Sequence, residues 1–125
     1  MAVPVLLMIH SLGHGGSERQ LAAIARTLDR SRFEPHVASV FGGFRADELR
    51  RSGIPLLTLP ITSYLKPSIL RTAAQLRRYI RTNGIRLVHT FDYSLSFMVC
   101  LNMIAIFVFL LVLSGDNFGV IYLIF

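Results

Sequence analysis

VPVLLMIHSLGHGGSER, residues 3–19, is the stretch that decides the fold. It opens with an apolar run, Val3 to Ile9, that has the length of a β-strand and suits a central parallel strand covered by helices on both faces. The glycine-rich turn Gly13-His14-Gly15-Gly16-Ser17 then leads into an amphipathic helix, with Ser17 as its candidate N-cap. Its apolar residues recur at helical spacing: Leu21, Ile24, Ala25 and Leu28.

The same alternation continues along the chain. Further strands are predicted at Pro35–Phe41, Ile54–Leu59 and Ile85–Thr90, and further helices at Ala46–Ser52 and Ser68–Asn83. Strands that alternate with helices predict right-handed crossovers and a parallel, doubly wound, Rossmann-like α/β sheet. Such sheets bind ligands outside the carboxyl ends of their strands, where the glycine turn and the loop after Thr90 both lie.

The charge of the chain is unevenly distributed. All 13 basic residues and five of the seven acidic ones lie within residues 1–86, so this part carries +8 and residues 87–125 carry −2. The arginines recur along helix faces without interleaved aromatic residues, which is typical of solvated helices and argues against a nucleic-acid surface. Attraction to phosphate-bearing ligands or anionic lipid headgroups is the unspecific alternative.

Cysteine content and the N-terminus indicate the compartment. The single cysteine, Cys100, excludes an internal disulfide and a cysteine zinc cluster, and it is compatible with a reducing environment. The first residues lack the basic segment of a secretory signal, and Pro4 and His10 interrupt their apolar stretch. We therefore expect the basic part of the chain to be cytoplasmic.

The C-terminal part has a different composition. Phe97 to Leu113 is apolar except for Asn102, and at ~1.5 Å per residue it would span about 26 Å, slightly under a hydrocarbon core of ~30 Å. One interpretation is a fourth, unusually apolar helix followed by a fifth strand, Val120–Phe125. The other is a membrane segment, because the polar outer face of an ordinary crossover helix is missing.

The glycine turn is the first candidate site. Without side chains in the way, the backbone N–H groups of Gly15, Gly16 and Ser17 could approach an anion at the helix N-terminus. A tight turn with no ligand is the alternative. The turn matches neither the P-loop nor the dinucleotide pattern G-x-G-x-x-G, and the second strand ends in Phe41-Gly42-Gly43 without an acid for a ribose.

The loop after the fourth predicted strand is the second candidate site. His89 could donate to a sugar hydroxyl or a phosphate oxygen, or it could be satisfied by neighbouring backbone. Asp92 is either a helix cap or a catalytic base, and it counts among the candidates for binding the substrate or the donor phosphate. No histidine has a spacing that suggests a metal, and no nucleophile lies beside a base, so the catalytic residues stay unknown and no metal is predicted.

Three segments together resemble the N-terminal domain of family-4 glycosyltransferases, which have two Rossmann-like domains in the GT-B arrangement. They are Val5–Leu21 with its S-L-x-x-G-G-S-E-R turn, Glu48–Pro55, and Leu87–Tyr93 with V-H-T-F-D-Y. The resemblance covers about residues 3–100. We therefore expect residues 1–100 to form this acceptor-side domain, and residues 101–125 to be an apolar tail that completes a helix and strand or associates with a membrane.

The resemblance implies a retaining transfer of a sugar from a nucleotide-sugar donor to a glycan or lipid hydroxyl, without metal or other cofactor, as in polysaccharide biosynthesis. Gly15 and Gly16 fit the loop that approaches the donor phosphates, and His89 is a weaker candidate for contact with the sugar. The family's donor-binding domain and its glutamate pair are missing from this sequence. We expect a truncated chain that is inactive alone, or one half of an enzyme whose donor half is a separate chain.

Two other functions compete with this interpretation. A membrane-anchored interaction module would use Phe97–Leu113 to hold the basic domain at the cytoplasmic side of the inner membrane. A nucleotide-binding regulator without transferase ancestry is more remote, because the missing ribose acid counts against its dinucleotide version.

Overall fold

The computed structural model describes residues 1–63, 65–92, 95, 100 and 122–124. In these residues strands and helices alternate as far as the fourth strand. The strands are β1 Val3–Ser11, β2 Phe33–Phe41, β3 Leu56–Thr58, β4 Leu87–Thr90 and β5 Tyr122–Ile124; the helices are α1 Gly16–Thr27, α2 Phe44–Arg51 and α3 Ser68–Thr82. The predicted elements up to residue 90 are therefore confirmed, with ends that differ by a few residues.

The strands form one parallel sheet in the order β3-β2-β1-β4-β5. The chain first moves outward from β1 to β3 and then returns to place β4 on the other side of β1. This reversal is the topological switch point of a doubly wound sheet, where ligands of such folds bind. The crevice at the switch point lies between the loop after β1 and the loop after β4.

Side chains of the central strands alternate between two cores, as the twofold period of a strand requires. Leu6 and Met8 face α3, whereas Leu7 and Ile9 face α1 and α2. All four are buried, so β1 is covered on both faces as its continuous apolar run predicts. Leu76 anchors α3 on one side, and Leu21 and Leu49 anchor α1 and α2 on the other.

Glycines end two of the helices in the left-handed conformation. Gly53 follows the C-cap of α2 with φ of 73°, and Gly84 follows the C-cap of α3 with φ of 62°. A side chain would be strained at these angles, so glycine stops each helix and turns the chain into the next strand.

The start of α1 differs from the expectation. Gly15, not Ser17, occupies the N-cap position, and Ser17 lies inside the first turn. No side chain caps the helix. The prediction of Ser17 as the cap is wrong because the helix begins one residue before it, directly after the glycine that the chain uses to leave the turn.

The helix or membrane segment expected at Phe97–Leu113 lies outside the described residues, and β5 is a short strand beside β4. Among the helices that the structure describes, none has the length and apolar character needed to cross a bilayer.

Candidate functional site

The carboxyl edge of the sheet brings the two predicted loops to the same crevice. β1 lies directly beside β4, with Met8 opposite Thr90. The N–H of Phe91 donates to the carbonyl of Met8 over 2.9 Å, so the loop after β4 starts against β1. The glycine turn begins a few residues further along the chain from Met8. Gly15 and Gly16 therefore lie at the start of α1 on one side of the switch point, and His89 lies near the end of β4 on the other side.

The N-terminus of α1 offers backbone donors to this crevice. The first N–H groups of a helix have no acceptor within it, and no side chain supplies one here. Gly16 is exposed, and a methyl group added to it would meet nothing within 4 Å. The positive end of the helix is thus open at Gly16, which suits an anion.

Glu18 folds back over this turn. Its Oε1 accepts a hydrogen bond of 3.0 Å from the hydroxyl of Ser11. A Cβ added to Gly15 would lie 2.0 Å from Oε2 of Glu18, so the carboxylate packs directly against the glycine. In this arrangement the protein's own negative charge lies at the helix N-terminus, where a ligand anion would compete with it.

A second glycine-containing loop supports the first. A Cβ on Gly43 would lie 2.2 Å from the carbonyl oxygen of Leu12, so only glycine permits this close approach. Beyond it, the backbone N–H of Arg45 donates to the same oxygen over 3.3 Å, and Nε of Arg45 donates to the carbonyl of Gly13 over 3.1 Å. Arg45 thereby holds the start of α2 against the glycine turn.

Aromatic side chains surround this junction. His14 stacks on Phe44 with ring centroids 4.4 Å apart, and the guanidinium of Arg45 lies 4.8 Å from the centroid of the same ring. His10 contacts the edge of Phe41, which is 55 % exposed. Sequence reasoning missed Arg45 and both phenylalanines as site residues. The signal was present, since Gly42-Gly43 follows a strand as the first glycine turn does.

His89 lies in β4, opposite Leu7 of β1, and is partly buried. Its ring stacks on Phe91 with centroids 4.5 Å apart and planes 15° apart. Phe91 itself packs against the core shared with α1 and α2. The imidazole is thus fixed on the α1 side of β4, at the border of the crevice.

Asp92 acts as a cap. Its Oδ1 accepts a hydrogen bond of 2.9 Å from the N–H of Leu95, three residues later, and Leu95 is helical and fully buried. This is the geometry of an N-cap, one of the two alternatives for Asp92. One carboxylate oxygen is therefore committed to the chain.

A shallow groove elsewhere does not belong to this site. It has a volume of about 270 Å³ and lies between Leu57 of β3 and the C-terminal half of α3. Tyr79 of this helix and its C-cap residue Asn83 line the groove. Because α3 returns the chain to the start of β4, this half of the helix lies near the amino ends of the strands. Among the described residues, no group of three or more histidine, cysteine and acidic side chains could hold a metal ion.

The sequence comparison decides the family. Residues 14–109 match the profile of Glycosyltransferase Family 4, a stretch that includes all five candidate residues Gly15, Gly16, Ser17, His89 and Asp92. The chain belongs to glycosyltransferase family 4. The search of curated proteins gave no significant match to this chain.

Solved structures share the fold of this family-4 domain. A glycosyltransferase from Rickettsia africae superposes with a TM-score of 0.68 at 20 % identity, over 83 % of this chain and 27 % of its own. MurG from Acinetobacter baumannii gives 0.63 at 18 % identity, over 83 % and 32 %. The chain thus spans about a third or less of these structures, and the likeness establishes a Rossmann-like fold of the GT-B type.

A third structure shows how widely this fold is used. Formyltetrahydrofolate deformylase from Burkholderia mallei superposes with a TM-score of 0.55 at 20 % identity, over 74 % of this chain and 31 % of its own. The shared sheet therefore carries different chemistry in different proteins, and function has to be argued from the loops at its edge.

Proposed function

We propose that this chain is the acceptor-side domain of a retaining glycosyltransferase, which moves a sugar from a nucleotide-sugar donor to a hydroxyl of a glycan or lipid. One observation carries the proposal: the uncapped N-terminus of α1, open at Gly16, lies at the switch-point crevice of a family-4 domain. Phosphate oxygens are the ligands that such a helix end favours.

In this proposal the backbone N–H groups of Gly16 and Ser17 bind an oxygen of the donor diphosphate across the cleft. They oppose the negative charge that grows on the leaving diphosphate as its bond to the sugar breaks. On the other side of the crevice, His89 donates a hydrogen bond to the transferred sugar. Asp92 orders the loop that follows β4. No metal takes part in this proposal, and the helix N-terminus supplies the partial positive charge that faces the diphosphate.

The donor nucleotide needs a second domain, which binds it from the opposite side of the cleft. This chain corresponds to 27 % and 32 % of the two glycosyltransferase-type structures compared with it. Residues 1–125 alone are therefore proposed to be inactive. Activity requires a donor-binding domain with the family's glutamate pair, either in a longer chain or as a separate one, and a cytoplasmic location supplies the nucleotide sugar.

Titration of the isolated domain with inorganic pyrophosphate, followed by amide NMR, tests the phosphate site. The amide signals of Gly16 and Ser17 should move most and saturate. Gly16→Ala is the informative variant, because its added methyl group meets no protein atom and yet stands where the anion approaches. We expect unchanged folding and weaker pyrophosphate binding. Equal binding by Gly16→Ala and the unaltered chain would contradict the proposed contact.

Reconstitution tests the transfer itself. The chain is mixed with a separately expressed donor-binding domain of the same family, and consumption is measured over a panel of nucleotide sugars. The mixture should consume one donor that neither part consumes alone, and Gly16→Ala should lower that rate. If no donor in the panel is consumed, the chain is not half of a split enzyme of this kind.

A further inference from the structure

The carboxylate of Glu18 lies at the same end of α1 as the proposed phosphate site. Glu18 is the third residue of this helix, and Gly15 is its N-cap. A Cβ on Gly15 would lie 2.7 Å from Cδ of Glu18, 2.9 Å from Oε1 and still closer to Oε2, so the whole carboxylate packs on this glycine. Its charge therefore lies within the first turn, where the partial positive charge of a helix is concentrated.

Ser11, the last residue of β1, holds the carboxylate in this position. Its hydroxyl donates to Oε1 of Glu18 over 3.0 Å. Both side chains are half-buried, and a hydrogen bond to a charged acceptor is stronger than one between neutral groups. The contact thus fixes the glutamate over Gly15, at the point where the central strand leads into the glycine turn.

This arrangement differs from an ordinary helix cap. A glutamate at the third position of a helix commonly accepts a hydrogen bond from the backbone N–H of the N-cap residue, as in a capping box. No such hydrogen bond joins Glu18 to Gly15, and among the described residues only Ser11 donates to this carboxylate. No arginine, lysine or histidine of that part of the chain forms an ion pair with it. Glu18 thus brings an unpaired negative charge to the turn without capping the helix.

A bound phosphate and this carboxylate oppose each other. A phosphate oxygen held by the backbone N–H groups of Gly16 and Ser17 would lie directly beside Glu18, and like charges at such a short separation repel strongly at a protein surface. The phosphate therefore binds well only after the carboxylate turns away. One hydrogen bond, from Ser11, has to break for that movement.

We propose that Glu18 is a displaceable place-holder for the donor diphosphate: it lies at the positive end of α1 until the donor binds, then releases Ser11 and turns toward solvent. This inference rests on the proposed function and adds selectivity to its phosphate site. A single inorganic phosphate, which contacts this helix end alone, gains little by displacing the carboxylate. A diphosphate that a second domain also holds has more binding free energy to offset that displacement, so Glu18 keeps small anions out of the site.

Isothermal titration of the chain with inorganic pyrophosphate tests the place-holder. Glu18→Gln keeps the size of the side chain and its acceptor for Ser11 but removes the charge, so it should bind pyrophosphate about tenfold more tightly than the unaltered chain. Ser11→Ala frees the carboxylate and should bind about threefold more tightly. A residue that merely supported the turn would weaken binding when altered.

Glu34→Gln is the matched control, because it removes the same charge by the same exchange. Glu34 is exposed and lies opposite Pro4 in the sheet, at the other end of β1 from Ser11. This variant should bind pyrophosphate as the unaltered chain does, and circular dichroism verifies the fold of each variant. Equal or weaker binding by Glu18→Gln or Ser11→Ala, or an equal gain in Glu34→Gln, would overturn the proposal.

Carbon NMR of the Glu18 carboxylate separates this proposal from the phosphate site on which it rests. As pyrophosphate is added to the unaltered chain, the Cδ signal of Glu18 should move together with the amide signals of Gly16 and Ser17. If the amide signals move and the Cδ signal stays fixed, the phosphate site stands and the place-holder is rejected. If neither the unaltered chain nor Glu18→Gln binds pyrophosphate, the phosphate site itself is rejected, and the place-holder with it.

Discussion

The α1 and α2 side of the sheet and the α3 side bury similar cores but arrange their charges differently. Residues 1–52 contain seven arginines and five carboxylates. The next 39 residues contain six basic groups and no carboxylate. On the first side Glu48 pairs with Arg26 and Arg45, and Asp47 pairs with Arg50. On the second side Arg71, Arg78 and Arg81 of α3 are exposed.

This difference shows how the helices of the first side use their charges. The ion pair between Arg26 and Glu48 joins α1 to α2. Arg45, which pairs with the same Glu48, donates a hydrogen bond to the carbonyl of Gly13 in the glycine turn. On the other side, Arg71 and Arg78 of α3 are exposed, and the buried Ile69 and Leu76 lie on the opposite face of the same helix. One sheet thus separates a side on which an ion pair joins two helices from a side on which exposed arginines lie along the helix.

The largest effect should come from Leu76→Ala, which sharpens the contrast within α3 itself. Leu76 is fully buried against the sheet, so its truncation should lower the free energy of unfolding by about 2–5 kcal/mol. Leu70→Ala, on the outer face, should change it by less than about 0.5 kcal/mol. Urea denaturation measures both. A large loss in Leu70→Ala would mean that the outer face is covered.

The next effect concerns the loops that close the cleft on the α1 and α2 side. Gly43→Ala would place a methyl group against the carbonyl of Leu12 and should cost about 1–3 kcal/mol, because the backbone of one loop has to move. Gly42→Ala, the adjacent control, meets nothing within 4 Å. Thermal unfolding should separate the two variants, and equal melting temperatures would show that the loops can separate freely.

A pH effect is expected at the inner face of α3. Burial lowers the pKa of His36, and the nearby Glu34 opposes this only in part. Below about pH 6.5 the unfolded chain takes up a proton that the folded imidazole resists, so the free energy of unfolding should fall as the pH drops. His36→Gln should reduce this fall between pH 7 and 5 and leave the slope between pH 7 and 8 unchanged.

Urea titrations at each pH measure this effect. Burial also raises the pKa of the Tyr79 hydroxyl that shares the hydrogen bond, so the tyrosine stays neutral throughout the range. The same slope in His36→Gln and the unaltered chain would assign the acid sensitivity to other groups.

Much of the fold was predictable because its signals are local. The continuous apolar run of β1 could only be buried on both faces, and the glycines after α2 and α3 end those helices as their positions suggest. The end of α1 was not predictable to the residue. Asp29 accepts hydrogen bonds from the backbone and side chain of Ser31, and this turn stops the helix before its apolar pattern ends.

The candidate site was predictable only in part, for a physical reason. The glycine turn and His89 are adjacent to strand ends, and parallel strands gather those ends at one edge. Arg45 acts through the carbonyl group of Gly13, 32 residues away, and Gly43 acts through its distance to Leu12. Contacts of this kind depend on how two loops pack, and no periodicity in the sequence encodes them.

The smallest effect is expected from the ion pairs of the first side. Glu48 contacts both Arg26 and Arg45, but these pairs are at least partly exposed, so Glu48→Gln should cost less than about 1 kcal/mol, and high salt should erase the difference. Asp47→Asn, which breaks the more exposed pair with Arg50, is the matched control.

The same variant tests whether charge pairing shapes the cleft. Arg45 also donates to the carbonyl of Gly13, and Glu48 is the carboxylate that orients its guanidinium. If the ion pair holds this arginine in place, Glu48→Gln should shift the amide signals of Gly13 and Gly16 in NMR spectra, and Asp47→Asn should leave them unmoved. If both variants leave these amide signals unmoved, the glycine turn is held by backbone packing alone. The paired charges then contribute only to solubility.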